Sequence, residues 1–457
     1  MQLQKRTAVL VIHGVGQHMP FQACDSFMRG FCDVFMNVEE LKKKKPKIEA
    51  QHKIKQRQDW LGVGIPWIQN YVSLPVPEKG ITVDFYEYFW DIYMVHEVRF
   101  CEAYKLLIKA SEGARDFYRK HPDLLPKATD LGEFGRKTKF GTGKMEFRPA
   151  GYLKLLGPFF TFIATVLPYL PRAIKLLDWL AGTQIPILKQ IVGAFSVFMK
   201  EAAPDSIGDL VRYLDLDPRS ERFETRRRII NGALEELRAL IKDDRYDQII
   251  IAGHSLGSVI AYDALNRVIQ EINAEKTIGD EAKDRVNQEA NVQWITEDEA
   301  SKITGLVTFG SPLDKIACFF RQRIKDDKEV QRQVLANLHG FRARSLEKDK
   351  KDKFANKDDK PEDTLEIIID TPMKFKLNKT RWLNFYHTQD LISGRLDLYD
   401  LKNQPFQHLE IKDNDGNIRI KEDFSKSLAH VCYLGEHRGK GKGTNEMYQV
   451  IIKEFFQ

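Results

Sequence analysis

The stretch Gln248-Ile-Ile-Ile-Ala-Gly-His-Ser-Leu-Gly257 constrains this chain more than any other part of it. Three consecutive isoleucines suit a central parallel strand covered on both faces, because β-branched side chains pack well on a doubly buried pleated surface. The strand runs into Gly-x-Ser-x-Gly, and Leu256-Gly-Ser-Val-Ile-Ala-Tyr-Asp-Ala-Leu265 can continue as a helix. A serine at so sharp a bend is held in strained backbone, with its Oγ projecting above the sheet. The glycines two residues either side leave room for the turn. Small residues also punctuate ordinary strand-to-helix loops, so the pentapeptide alone says little. The strand before it and the helix after it make Ser255 a candidate nucleophile.

A second segment points the same way. Thr7-Ala-Val-Leu-Val-Ile-His-Gly-Val-Gly-Gln-His18 is another apolar strand, ending in His-Gly-x-Gly. Acyl transfer needs donors aimed at the oxygen that becomes negative in the tetrahedral intermediate, and backbone N–H groups of a glycine-bent loop can supply them. One donor is expected from Leu256, the residue after the nucleophile; the other comes from Gly14 or Val15. The plainer alternative is a strand-to-helix turn that needs its glycines for geometry alone. Nothing near His13 or His18 completes a metal-ligand set of recognised spacing, so both read as structural or loop residues and no metal is expected.

A serine hydroxyl is a poor nucleophile until a neighbouring base takes its proton, so a histidine and an acid are required. His254 precedes the nucleophile and is expected to point off the opposite side of the turn. In this kind of sheet the order along the chain is serine, acid, histidine, which leaves His339, His387, His408, His430 and His437. His430, in Ser427-Leu-Ala-His-Val-Cys-Tyr433, falls after the last strand-like segment and before a C-terminal helix, where a loop can lay an imidazole over the serine. His437 lies in a glycine- and lysine-rich run and reads as a solvated loop residue. Two loops compete for the acid. Asp314 follows the strand Gly305-Leu-Val-Thr-Phe-Gly310, and Asp390 follows the strand Arg381-Trp-Leu-Asn-Phe-Tyr386. Both lie just past the carboxyl end of a strand, where sites of open α/β sheets collect. Asp390 is favoured because it is nearer His430, whereas Asp314 suits the cap of a helix starting near Lys315. Asp397 ranks third.

These pieces resemble the serine esterases and lipases of the α/β-hydrolase superfamily. The resemblance rests on Val11-Ile-His-Gly-Val-Gly16, Gly253-His-Ser-Leu-Gly257, Thr308-Phe-Gly-Ser-Pro312, Trp382-Leu-Asn-Phe-Tyr386 with Asp390, and Ala429-His-Val-Cys-Tyr433. The histidine directly before the serine is typical of lipase-like members. The resemblance implies a mostly parallel sheet flanked by helices, a Ser255–Asp390–His430 triad, and Val15 and Leu256 as oxyanion donors, supported by His13, Gly14 and Gly16. It implies hydrolysis of carboxylic esters, of lipids above all, with no cofactor. Lipid acyl transfer or thioester cleavage on the same fold, or a membrane-associated scaffold without turnover, are the competing readings. The oxyanion strand starts at residue 7, so the two strands that usually precede it are absent and the sheet edge needs another cover.

With 457 residues, the chain can hold one hydrolase core with a large insertion. Residues 1–95 carry the oxyanion loop, 96–204 form a helical, apolar insertion, and 205–457 complete the core with the triad. Within the insertion, Leu155-Leu-Gly-Pro-Phe-Phe-Thr-Phe-Ile-Ala-Thr-Val-Leu-Pro-Tyr-Leu-Pro171 contains no charge. Its internal prolines and short length argue against a span of a bilayer core about 30 Å thick. A lid or cap over the site, with peripheral membrane contact through residues 152–199, is preferred over ordinary packing. The net charge of +6 suits contact with anionic surfaces without requiring it, and no nucleic-acid module is present. Five scattered cysteines form no disulfide framework. The N-terminus runs straight into a core strand with no secretory signal, so a cytoplasmic chain, peripheral at a membrane, is expected.

The spacing predicts helices over residues 24–35, 206–216, 222–243 and 445–456. It predicts a second sheet strand over residues 81–90 and a hairpin over residues 407–420.

Overall fold

The computed structural model describes residues 5–15, 19–35, 48–58, 64–76, 79–94, 139–140, 143–144, 213, 221–277, 294–313, 377–387, 390, 393–396, 399–401, 416–420, 430, 432–434 and 445–456. Among the described residues its centre is a mixed, mostly parallel sheet of eight strands. In chain order these are β1 (Lys5–Ile12), β2 (Glu49–Gln58), β3 (Gly64–Val76), β4 (Ile81–Tyr88), β5 (Gln248–His254), β6 (Ile303–Phe309), β7 (Arg381–Tyr386) and β8 (Asn417–Arg419). Their order across the sheet is β8-β7-β6-β5-β1-β4-β3-β2. From β8 to β4 neighbouring strands run parallel, and the β2–β3 hairpin continues the sheet antiparallel from β4.

Helices cover both faces. On one side lie α2 (Glu221–Ile241) and α3 (Leu256–Thr277); on the other lie α1 (Gln22–Phe35) and α5 (Asn445–Phe455). A single turn, α4 (Glu297–Ala300), precedes β6 and is closed by a capping box between Thr296 and Glu299. The period of two along each strand divides its side chains between two cores. Ala8, Leu10, Ile12, Ile249 and Ile251 meet α2 and α3, whereas Val9, Val11, Ile250 and Ala252 meet α1 and α5. That double burial is why β1 and β5 read as unbroken apolar runs. Asp84 interrupts the apolar pattern of β4 at 0% exposure. Its carboxylate accepts hydrogen bonds from Arg6 Nε, Tyr246 OH and Ser73 Oγ, each at 2.7 Å, which offsets the cost of burying a charge.

The strand over residues 81–90 is β4, and it lies directly beside β1 as a sheet neighbour. It is not the second strand of the chain, because β2 and β3 come first. Neither was legible in the sequence. β2 reads Glu-Ala-Gln-His-Lys-Ile-Lys-Gln-Arg-Gln, a composition suited to an outer strand, and β3 carries Pro66 and Pro75. The hairpin covers the edge of β4 that a trimmed sheet would leave open.

Helices α1, α2 and α5 match the expected segments to within two residues. Of the four apolar residues at helical spacing in α2, Ile230, Leu237 and Ile241 are buried on the sheet and Leu234 is half-buried against the same core. The expected hairpin over residues 407–420 falls half outside the described residues. Its remaining part, β8, pairs in parallel with β7. The insertion at residues 96–204 and all but Tyr213 of the 206–216 helix lie outside the described residues. Among the described residues no helix is long and apolar enough to cross a membrane.

Of the cysteines, Cys24 and Cys32 are buried free thiols on α1. Burial pushes Cys32 up to about 11 and Cys24 higher still, so both remain unreactive thiols.

Candidate active site

Connections leave β1 toward the α1 face and return through α2 to β5 on the opposite face, so the chain changes sides between neighbouring strands β1 and β5. Open α/β sheets form a crevice at the carboxyl ends of such strands. Ser255 sits there, directly after β5, and has φ +51°. A left-handed conformation costs a non-glycine residue on the order of 1–3 kcal/mol and persists only where its surroundings over-determine it. Here Ser255 N–H donates to Phe309 O at the end of β6 (3.1 Å), and Ser255 O accepts from Ser258 N–H (3.0 Å) and Ser258 Oγ (2.5 Å). Ser258 Oγ in turn lies 2.7 Å from Ser311 Oγ.

The glycines of the bend answer to close backbone approach. A Cβ on Gly257 would lie 2.2 Å from Ile12 O and 2.4 Å from His13 O. A Cβ on Gly14 would lie 2.8 Å from Ser255 Cβ. The loop after β1 and the bend after β5 therefore touch through backbone, which only glycine allows at both positions. Trp90, just beyond β4, secures the loop from behind. Its Nε1 donates to His13 O (2.9 Å), and its ring stacks on the His13 imidazole at 4.9 Å. His13 is fully buried with Nδ1 2.9 Å from Gly14 O, the position of a loop-holding residue. Val15 follows on the same loop, half-buried. Leu256 opens α3, where the first N–H groups of a helix have no intrahelical acceptor and carry the positive end of its dipole. Both segments named as sources of oxyanion donors thus flank Ser255.

Two further loops bring in the remaining chemistry. Ser255 Oγ lies 2.7 Å from His430 Nε2. On the other side of the ring, His430 Nδ1 lies 3.1 and 3.0 Å from Asp390 Oδ1 and Oδ2. The Asp390 side chain is fully buried and that of His430 is 18% exposed. Asp390 Oδ1 also accepts from Ser393 N–H (3.2 Å), and Oδ2 accepts from Tyr433 OH (3.0 Å). With its two oxygens occupied by donors, the carboxylate is held as an acceptor for His430. Gly16, His18, Asp314 and Asp397 lie outside the described residues. Of the other downstream histidines, only His387 is described; its backbone N–H donates to Tyr433 OH (2.9 Å).

The expectation for His254 is corrected. Its ring does not leave the site but lies 5.2 Å from the His430 ring, packed against Phe309 at 5.3 Å. His254 Nε2 is 2.9 Å from His430 O and donates to it. Strand alternation breaks at the left-handed Ser255, so it says nothing about where the residues flanking the bend point. His254 therefore secures the backbone that carries His430. Replacing it with leucine is expected to lower kcat about tenfold by leaving that half-buried carbonyl without this donor, whereas His254→Gln, which keeps an N–H, should retain most activity. Equal losses in the two variants, measured side by side on one ester, would show that the hydrogen bond is irrelevant.

Sequence reasoning also missed Ser393 and Tyr433, whose contacts are made between loops distant in the chain. Tyr433 alone had a local signal, since it follows His430 by three residues. Among the described residues no three His, Cys, Asp or Glu side chains are grouped to hold a metal ion. Comparison with known proteins finds no match to a family model, a curated protein or a solved structure, so the site stands on its own geometry.

Proposed function

We propose that this chain is a serine hydrolase of the α/β-hydrolase type, cleaving carboxylic esters through an acyl-enzyme. The observation that carries the reading is the unbroken hydrogen-bonded line Ser255 Oγ–His430–Asp390, drawn from three loops at the carboxyl ends of parallel strands. Because Asp390 engages Nδ1, the neutral imidazole keeps its proton there and presents Nε2 as the base. Ser255 Oγ attacks the ester carbonyl while His430 Nε2 takes its proton. The oxyanion that forms is met by backbone N–H groups of Leu256 and the Val15 loop. His430 then passes the proton to the departing alcohol. Water, deprotonated by the same imidazole, resolves the acyl-serine. No cofactor enters this cycle.

Lipid or other apolar esters as substrate are supported by the uncharged run at residues 155–171, proposed as part of a lid or cap with peripheral membrane contact. A cytoplasmic location at a membrane surface goes with that reading.

Fluorophosphonate labelling followed by peptide mapping tests the nucleophile, and p-nitrophenyl esters of short and long chains test the substrate class. Modification confined to Ser255, with kcat/KM rising with acyl length, is the expected result. A folded protein that takes no label would remove the hydrolase reading in favour of a scaffold. Product carried onto an added alcohol in preference to water would turn the reading to acyl transfer.

A further inference from the structure

Tyr433 is fully buried, and its hydroxyl meets three residues of the loop that carries the acid. The phenol oxygen accepts from His387 N–H (2.9 Å) and lies 3.0 Å from Ser393 Oγ. Its own proton points to Asp390 Oδ2 at 3.0 Å. His387, Asp390 and Ser393 all follow β7, whereas Tyr433 follows His430 on a separate segment. One side chain therefore ties the loop of the base to the loop of the acid. The rest of the ring is held against Phe309 at 6.2 Å and His254 at 6.1 Å, and Gly310 leaves space for it: a Cβ there would lie 3.2 Å from Tyr433 Cε2.

We infer that Tyr433 is a positioning residue for catalysis, fixing the Asp390 carboxylate and setting how strongly it binds the His430 Nδ1 proton. The inference rests on the assignment of Ser255, His430 and Asp390 given above. A hydrogen bond donated to Oδ2 withdraws charge from the carboxylate and stops it rotating away from the imidazole. Burial, followed by the nearby Asp390 charge, holds the phenol well above the ordinary tyrosine range, so it is a donor at neutral pH. A carboxylate only accepts, so the Tyr433 proton goes to Asp390 Oδ2 and the phenol oxygen is left to accept from His387 N–H and Ser393 Oγ–H.

The test uses the full chain as wild type, Tyr433→Phe and Ser393→Ala, with two readouts. In the first, kcat and KM on a p-nitrophenyl ester are measured beside the rate of fluorophosphonate labelling. Tyr433→Phe should lower kcat and the labelling rate about tenfold, the scale of one hydrogen bond to a charged group, with KM within about twofold. A residue that only packs would not separate kcat from KM in this way. In the second, the far-downfield proton resonance of His430 Nδ1–H is recorded by NMR without substrate. It should move further downfield in Tyr433→Phe, because an acceptor relieved of one donor binds its remaining donor more strongly. If Tyr433→Phe does not fold, Ser393→Ala serves instead, with the same changes in smaller measure. Unchanged kcat, labelling and resonance would overturn the inference. Wild-type protein unlabelled at Ser255 would overturn the hydrolase reading alone; the resonance would then decide whether Tyr433 tunes the Asp390–His430 bond.

Discussion

Replacing Ser255 by alanine, His430 by alanine, or both together is expected to lower kcat by about the same factor, on the order of 10⁶. The reason is the 2.7 Å contact between Ser255 Oγ and His430 Nε2. The imidazole contributes by taking one particular proton, and the hydroxyl contributes only once that proton is gone. Either loss removes the whole route, so the second costs little more. The residual rate, about 10³–10⁴ above water, should come from the backbone donors of the Gly14–Val15 loop and Leu256. Alanine fits both positions sterically, so near-ultraviolet circular dichroism should match wild type. The measurement is kcat for the two single variants and the double variant on one ester. Losses that multiply would mean that serine and histidine act separately. A His430→Ala enzyme within tenfold of wild type would remove His430 from the base role.

Asp390→Asn should cost about 10⁴ in kcat while leaving the fold intact. Both carboxylate oxygens lie near His430 Nδ1, and each meets a further donor, Ser393 N–H on Oδ1 and Tyr433 OH on Oδ2. An amide has one acceptor and one donor end. Whichever way it turns, its NH₂ faces a donor or the imidazole. An NH₂ toward Nδ1 pushes the imidazole proton onto Nε2, where it can no longer accept from Ser255. Asp314→Asn, the change at the competing acid, should leave kcat within about twofold. If the two variants exchange these outcomes, the acid belongs to the strand β6 loop, and the Asp390 contact with His430 is structural.

The interior of this protein could be read from its sequence because double burial leaves a direct mark. Ile249, Ile250 and Ile251 have no polar alternation, since β5 has apolar cover on both faces. The period of α2 likewise pointed to Ile230, Leu234, Leu237 and Ile241, three of them buried and Leu234 half-buried. Outer strands carry no such mark. β2 is mostly polar and β3 contains two prolines, so the strands that extend the sheet beyond β4 went unread. The described end of the expected hairpin, β8, also pairs in parallel with β7, a partner some thirty residues away that no local pattern indicates.

The bend at Ser255 and the glycine loop after β1 were determined locally, since strand, glycine and helix signals all lie within a dozen residues of each other. The choice between Asp314 and Asp390 was not local, and the sequence could only rank them. Tertiary structure alone laid Asp390 3.0 Å from His430, turned His254 toward the His430 backbone, and set the Tyr433 hydroxyl on the carboxylate. Each of these contacts joins loops separated by 40 to 176 positions in the chain. Hydrogen bonds of that kind depend on distances of a few tenths of an ångström, and no local pattern of residue types encodes them.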